Sequence, residues 1–391
     1  MTHRPTFAAT LRIYLSRESK AHYHWRFGIL VSAIVAAPLI VGELTGSRTG
    51  GVIGALAAWF IALALPPRSA FHRLLFLGRR LLILTATSAL GVLTGHHLFW
   101  TAAVIIVLAL MIPVPGMTIT PLITFIMATN APHGLTSTGY IGAFFLGGAA
   151  ALLALLLPIA ASPVAPTFTG LGIEEPWRRL VHHCRGRSPE VRYAAQAAVC
   201  ICVGYLVLTA LHWPHAGWVL VGVLTTLRPS WGATEARVVK RSIGMIGGAM
   251  VTAVFLLVSA HAGYWITVVC IAVLGGLARP LRQYNYGYWP VLGTPVLLLL
   301  TNLEEPLTAI DSVWRLGNNI LGAAITLFAI TCLWPHDTQR PAPSGLPESG
   351  GGEDRGTRGF GALSKVPAGS EWPRQARDRT RQAVREHTSQ N

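Results

Sequence analysis

The sequence predicts an all-α, polytopic membrane protein with about twelve transmembrane helices in two tandem six-helix repeats. Two observations carry this prediction. Apolar residues make up 52% of the chain and charged residues only 12%, whereas soluble domains contain about 25% charged residues. Long apolar runs also alternate with short basic segments along most of the 391 residues. Both features are typical of a chain that crosses a bilayer several times.

Twelve apolar segments are the predicted helices. Several are shorter than the roughly 20 residues that a straight span needs, so tilted or broken helices are expected among them. The segments are 27–44, 49–65, 81–96, 98–113, 117–130, 139–160, 192–211, 216–228, 241–260, 263–279, 286–303 and 315–334.

These segments divide the chain into five parts. A cytosolic N-terminal segment (1–25) precedes the first six-span repeat (26–160), and a cytosolic linker (161–190) leads to the second repeat (191–335). The last part (336–391) is rich in Pro, Gly, Ser and charge, which predicts a disordered, basic cytosolic tail.

The basic residues are distributed as topology signals. If the N-terminus lies in the cytosol and the spans alternate, every Lys and Arg except Arg48 and Arg315 falls on the inner side. Cytosolic loops of membrane proteins carry an excess of Lys and Arg. We therefore attribute the net charge of +15 to membrane topology rather than to nucleic acid binding, and expect both termini in the cytosol.

The motifs of several enzyme and cofactor classes are missing. There is no phosphate-binding loop, no nucleotide-binding signature and no clustered catalytic set. The five cysteines form no CxxC pair, and no residues have metal-ligand spacing. The sequence therefore predicts no enzymatic activity, no cofactor and no metal.

The two halves also resemble each other in sequence. The segment 140–149, YIGAFFLGGA, aligns with 315–324, RLGNNILGAA, and Arg80 before the third span matches Arg241 before the ninth. Because each repeat has an even number of spans, both should have the same orientation, with their symmetry axis along the membrane normal.

Two Thr-Pro pairs at matching positions are candidate substrate sites. Proline in a helix frees a backbone carbonyl, which in a membrane must be satisfied by protein or by a water-filled cavity. Broken helices at matching positions of two repeats point to a transporter's binding site, although a simple packing kink is an equal alternative. The candidates are Thr120, Pro121 and Asn130 in the first repeat, and Thr294, Pro295, Thr301 and Asn302 in the second.

Arg315 is the single residue that most suggests an anion site. It departs from the positive-inside pattern, aligns with Tyr140 of the first repeat, and is followed by Asn318 and Asn319 within about one turn. An Arg with amide neighbours can bind both oxygens of a carboxylate. The alternative is an ion pair with Asp311 at the outer surface.

The stretch 218–248 connects two apolar segments through a basic turn and carries a resemblance. Its pattern consists of Thr225, Thr226, Arg228, Pro229, Thr234, Arg241 and Gly244. It resembles the signature of the fusaric acid resistance (FUSC-like) family of integral membrane transporters. The resemblance covers roughly residues 20–335 and includes Asn285. Arg315 is similar in placement to the basic residue on the last span of plant malate-channel relatives.

The resemblance implies export of small organic or aromatic acids, or related toxic compounds, across the cytoplasmic membrane. Members of the family often carry a cytosolic domain between the repeats, whereas only the linker 161–190 separates them here. A passive anion channel is the second hypothesis, since the spans contain few carboxylates, and a membrane scaffold or enzyme is the third. The expected partners are the lipid bilayer, a small organic anion and a second copy of the chain, but no nucleic acid.

Overall fold

The structure is a computed structural model, and it describes most of the two predicted repeats. The described residues are 25–64, 67, 69–114, 117–130, 135–158, 189–228, 231–259, 263–301, 303 and 309–333. The predicted N-terminal segment, nearly all of the predicted linker and the predicted tail lie outside these ranges.

All regular elements in the described ranges are helical. They comprise twelve α-helices, the last of which continues into a π-helical turn, Ala329–Leu333. In chain order the helices are α1 (Trp25–Leu44), α2 (Arg48–Ala62), α3 (Ala70–Thr94), α4 (Leu98–Leu110), α5 (Thr120–Ala128), α6 (Ser137–Leu155), α7 (Pro189–Ala210), α8 (Ala216–Thr226), α9 (Trp231–Ser259), α10 (Tyr264–Tyr284), α11 (Tyr288–Thr301) and α12 (Ala309–Phe328).

Two helices begin about three turns earlier than the apolar segments predicted. Helix α3 starts at Ala70 rather than at residue 81, and α9 starts at Trp231 rather than at residue 241. The basic stretches 66–80 and 228–241, which lie between predicted spans, are thus largely helical. The reason is an apolar face that continues through them: in α3, Leu77, Leu81 and Leu84 recur at helical spacing, and all three are buried.

Seven helices are long and apolar enough to cross a membrane. They are α1, α3, α6, α7, α9, α10 and α12, and their large apolar side chains include many that face outward, as a lipid-facing surface requires. Helices α2, α4, α8 and α11 are apolar but shorter, and α5 has nine residues. The chain is therefore a multi-pass membrane protein, and the crossing of the bilayer by all twelve helices remains a prediction.

The six helices before the linker and the six after it pack in the same pairs. In the first group α1 packs on α2, α2 on α6, and α3 on both α5 and α6. In the second group α7 packs on α8, α8 on α12, and α9 on both α11 and α12. The two groups meet where α1 packs on α10 and where α4 packs on α7.

Glycines allow a close helix approach at equivalent places in the two groups. A Cβ built on Gly147 of α6 would overlap the backbone of Gly54 in α2. A Cβ built on Gly322 of α12 would lie 2.6 Å from the carbonyl oxygen of Val219 and 3.1 Å from Cα of Gly222, both in α8. Small residues allow such close backbone approach in membrane helix pairs, so these glycines determine the spacing of α2 from α6 and of α8 from α12.

We expect Gly147→Ala to lower the free energy of unfolding by about 1–3 kcal/mol, because the added methyl group must push α6 away from Gly54. Gly142 lies on the same helix with no heavy atom within 4 Å of its built Cβ, so Gly142→Ala is the matched control. Gly322→Ala and Gly317→Ala form the same comparison on α12. The measurement is the thermal midpoint in detergent, followed by size-exclusion chromatography; equal midpoints within a pair would contradict the close approach.

Candidate anion-binding site

Helices α9 and α12 of the second group are joined by a hydrogen bond between Arg241 and Asn319, and Arg315 lies one turn before Asn319. Nη2 of Arg241 in α9 donates a hydrogen bond of 2.8 Å to Oδ1 of Asn319 in α12. Each of these residues lies ten positions after the first residue of its helix, or about 15 Å along the axis. Arg241 is therefore an interior residue of a helix, and not the last residue of a cytosolic loop as the sequence predicted.

Arg315 lies one turn before Asn319 and is only 5% exposed. Its guanidinium carbon is 3.4 Å from the centre of the Trp218 ring in α8, a cation–π contact. Nδ2 of Asn319 donates to the backbone carbonyl of Arg315 over 2.9 Å, so one amide contacts both arginine positions. The alternative hypothesis, an ion pair between Arg315 and Asp311 at the outer surface, does not fit the burial of the Arg315 side chain. The side chain of Asp311, the proposed partner of such a pair, lies outside the described residues.

The two guanidinium groups repel each other and retain unused donors. Nη2 of Arg315 and Nε of Arg241 are buried with no hydrogen-bond partner among the described residues. Glu43 is the one carboxylate among the described side chains, and it pairs with Arg48 at the end of α1. Because a buried charge without a counterion is costly, an anion bound between Arg241 and Arg315 would be stabilised.

A cavity opens beside Arg241. It is a small recess, and its walls combine a cation, an amide and a hydroxyl group with three apolar side chains. The lining residues are Arg241, Ser242, Met245, Asn319, Ile320 and Ala323. The chemistry of this lining matches the two parts of a small organic anion, because the polar groups can hold its charge and the apolar side chains can contact its hydrocarbon part once the recess widens to admit it.

The second helix group matches a known family. Residues 199–329 fit the family model described as fusaric acid resistance protein-like. The match covers about a third of the chain, which is similar to this family over these residues. The matched region contains all of α8, α9, α10, α11 and α12, and therefore every residue of the arginine site. The predicted resemblance is confirmed for this part of the chain.

Three curated relatives are similar to parts of the chain. The uncharacterized protein YhfK of Escherichia coli K12 is 32% identical over 155 residues, which are 38% of this chain and 21% of YhfK. Inner membrane protein YccS of the same organism is 27% identical over 165 residues, 42% of this chain and 22% of YccS. An uncharacterized protein of Haemophilus influenzae is 26% identical over 156 residues, 40% of this chain and 21% of its own length. The aligned region thus spans about a fifth of each relative, and no solved structure matches the chain significantly.

Most of the family motif connects helices rather than lining the cavity. Thr226 is buried in α8 and its hydroxyl lies 2.9 Å from that of Thr326 in α12. The hydroxyl of Thr234 accepts from the backbone N–H of Arg228 and donates to the carbonyl of the same residue. Thr225 bonds within its own helix, at Val221 and Gly222.

Two further motif residues, Gly244 and Arg241, have different roles. A Cβ on Gly244 would lie 2.6 Å from the carbonyl oxygen of Gly287, so this glycine allows α9 to approach the start of α11. Arg241 is the motif residue that reaches the cavity. Pro229 lies outside the described residues.

Asn318, a predicted substrate ligand, is used by the fold. Its Oδ1 accepts from Nε1 of Trp213 over 2.9 Å, and its Nδ2 donates to the carbonyls of Pro214 and His215. These bonds hold the turn before α8, in which His212 and His215 have φ of 50° and 54°. Left-handed backbone is costly for residues other than glycine, so Asn318 stabilises a strained turn instead of facing the cavity.

The two Thr-Pro pairs differ in the structure. Pro121 is in the first turn of α5, where no helical hydrogen bond is lost, so it does not break a helix. Pro295 lies inside α11, which continues through it, and frees the carbonyl of Val291. Thr294 donates to Sδ of Met245, a cavity residue, over 3.0 Å. Of the two pairs, only the second is next to the arginine site.

The remaining candidate substrate residues either lie away from the cavity or are outside the described residues. Thr120 accepts from Arg80 within the first helix group. Asn130 is exposed at the end of α5 and bonds locally, and Tyr140 is buried in the first apolar core. Asn302 and the side chain of Thr301 lie outside the described residues.

The sequence reasoning missed Trp218, which packs against Arg315. A single aromatic residue in an apolar segment carries no signal that distinguishes an interface residue from a cation–π partner. The spacing along α8 is the signal that could have identified it. Trp218, Gly222 and Thr226 recur every four residues, and all three face α12.

We expect Asn318→Ala to destabilise the protein by about 1–3 kcal/mol, because it leaves the indole N–H of Trp213 and two backbone carbonyls without their partner. Asn130→Ala, at an exposed asparagine with local bonds only, is the control and should be nearly neutral. The measurement is the thermal midpoint in detergent together with anion affinity below that temperature. Unchanged stability with weakened anion affinity would mean that Asn318 is a ligand after all.

Proposed function

We propose that the protein is a secondary transporter that exports small organic or aromatic acids across the cytoplasmic membrane and has no enzymatic activity. The observation that carries the proposal is that Arg241 lines a small cavity and bonds to Asn319, one turn from the buried Arg315, with no carboxylate partner among the described side chains. In this proposal the two guanidinium groups hold the carboxylate of the substrate during passage.

The chemistry of the cavity wall supports an organic anion over an inorganic one. Met245, Ile320 and Ala323 contribute apolar surface next to the polar edge formed by Arg241 and Asn319. A hydrated inorganic ion gains nothing from such a surface, whereas the ring or chain of an organic acid buries apolar area against it.

Cytoplasmic-membrane placement with both termini in the cytosol is part of the proposal. It is supported by the seven long apolar helices, by the similarity to inner membrane protein YccS, and by the positive-inside distribution of Lys and Arg.

The proposed architecture is twelve spans in two six-helix repeats. It is supported by the shared set of helix pairs and by the glycine contacts, Gly54 with Gly147 and Gly222 with Gly322, which occur in equivalent helices. Two repeats of the same orientation would place the arginine site on one side of a two-fold axis along the membrane normal, because the first repeat has Tyr140 where the second has Arg315.

A passive anion channel is the alternative, and one observation favours it. Glu43, the carboxylate whose side chain is described, is engaged by Arg48, so no described acidic group is available to couple proton movement to export. Collapse of the proton gradient separates the two hypotheses: it should stop export against a concentration gradient by a coupled transporter and leave a downhill anion flux intact.

We expect Arg315→Ala to raise the half-saturating concentration of benzoate about ten- to a hundred-fold, because about 1.5–3 kcal/mol of charge-assisted hydrogen bonding is lost. Arg315→Lys keeps the charge but loses the planar fork, so its effect should be partial. The measurement is concentration-dependent uptake of labelled benzoate into inside-out membrane vesicles at equal protein levels.

Two controls accompany this series. Arg48→Ala removes an exposed arginine, with a side-chain exposure of 56%, and should leave transport unchanged. Asp311→Ala tests the surface-pair alternative, in which it would match Arg315→Ala. Wild-type transport by Arg315→Ala would remove the proposed role of Arg315.

A further inference from the structure

A second group of arginines converges near the start of α11. Arg228 precedes α9, Arg237 lies in the second turn of α9, and Arg282 lies near the end of α10. All three act on Tyr286, which is 7% exposed in the turn between α10 and α11. We refer to Arg228, Arg237 and Arg282 as the arginine cluster.

Among the described side chains, aromatic rings cover two arginines of the cluster. The guanidinium carbon of Arg237 is 3.1 Å from the centre of the Tyr286 ring, and that of Arg282 is 5.0 Å from the centre of the Trp289 ring. Trp289 in turn stacks on Trp59 of α2, with ring centres 5.3 Å apart. Cation–π contacts use the faces of the guanidinium groups and leave their N–H edges available for other partners.

Donors of the cluster remain unused. Nε of Arg237 is buried with no hydrogen-bond partner among the described residues. Arg228 donates to the backbone carbonyl of Leu227, a neutral acceptor. The described side chains near the cluster include no carboxylate, and the arginines repel one another.

The phenol of Tyr286 responds to this positive field. Burial by itself raises the pKa of Tyr286. The positive charges of Arg237, Arg241, Arg228 and Arg282 lower it by more, so that the pKa falls to about 7. A positive potential that can favour a buried phenolate also favours other small oxyanions at this place.

The cluster is continuous with the arginine site described above. Arg237 and Arg241 are four residues apart on α9 and therefore lie on the same face, one turn from each other. Arg241 then approaches Arg315 through Asn319. Arg237, Arg241 and Arg315 thus form a row of cations that begins at the predicted cytosolic end of the bundle.

We infer that the arginine cluster is a second anion-binding site, which receives the carboxylate of a small organic acid from the cytosol before it moves to Arg241 and Arg315. This inference rests on the proposed transport function, because it makes the cluster the loading site for the same substrate. Several guanidinium groups around one carboxylate supply bidentate hydrogen bonds, and the bound negative charge offsets the repulsion among them.

The test is the number of anions that the purified full-length chain binds in nanodiscs of phosphatidylcholine. Equilibrium dialysis with labelled benzoate should give two bound anions per chain for the wild type and for the exposed-arginine control Arg48→Gln. Arg237→Gln and Arg282→Gln should each retain one, and Arg315→Gln should also retain one. Arg237→Lys should keep the second site with roughly ten-fold weaker binding, because the fork is lost while the charge remains.

The outcomes separate this inference from the proposed function. Two bound anions in both Arg237→Gln and Arg282→Gln, or no binding by the wild type, would overturn the inference. Loss of a site in Arg237→Gln with none lost in Arg315→Gln would support the cluster while removing the role proposed for Arg315.

A lipid headgroup has the same oxyanion chemistry, and a lipid arm distinguishes it from the substrate. In nanodiscs that contain phosphatidylglycerol, two benzoate sites are again expected. Loss of the Arg237-dependent site in those discs would assign the cluster to lipid and overturn the inference.

Discussion

Burial of charge without a counterion is the constraint on which the second helix group depends. Moving an unpaired ion out of water costs several kcal/mol, so Arg241 and Arg315 need stabilising contacts inside the bundle. Asn319 provides one of them, because its Oδ1 accepts a hydrogen bond from Nη2 of Arg241. Trp218 covers the second guanidinium group. These contacts connect α8, α9 and α12 into one unit.

The arginine contacts require α8 and α12 to pack closely. On α12, Arg315, Asn319, Gly322 and Thr326 recur at helical spacing, and on α8 so do Trp218, Gly222 and Thr226. The glycines bring the two backbones together and the threonines bond across the interface. Trp218 can lie over Arg315 because the close contact of Gly222 with Gly322, one turn further along α8, keeps the two helices together. The family motif therefore supports the site mainly through helix packing.

Hydropathy alone located nearly every described helix, because apolar runs of this length have few alternatives in a bilayer. It failed at the start of α9, where Arg237, Lys240 and Arg241 lowered the local hydropathy although a buried face, with Thr234 and Val238, continued beneath them. The candidate site was predicted in part. Arg315 stood out through its exception to the charge pattern, whereas the role of Asn318 depended on a turn more than a hundred residues away in sequence, which no local pattern reveals.

The use of neutral partners has a consequence for transport. An amide, backbone carbonyls and aromatic faces stabilise the arginines of this group enough for the fold, but none of the described partners carries a negative charge that a substrate would have to displace. Binding can then be favourable enough for the anion to enter and weak enough for it to leave, as conduction or transport requires. In the first group, Tyr140 and Phe144 occupy the positions that align with Arg315 and Asn319, and both are buried in an apolar core. The first group also buries an arginine, Arg73 of α3, but its guanidinium group donates to the backbone carbonyls of Leu155 and Leu157 at the end of α6. The two groups therefore differ in where the buried charge lies, and only the second places it at the position that aligns with Tyr140.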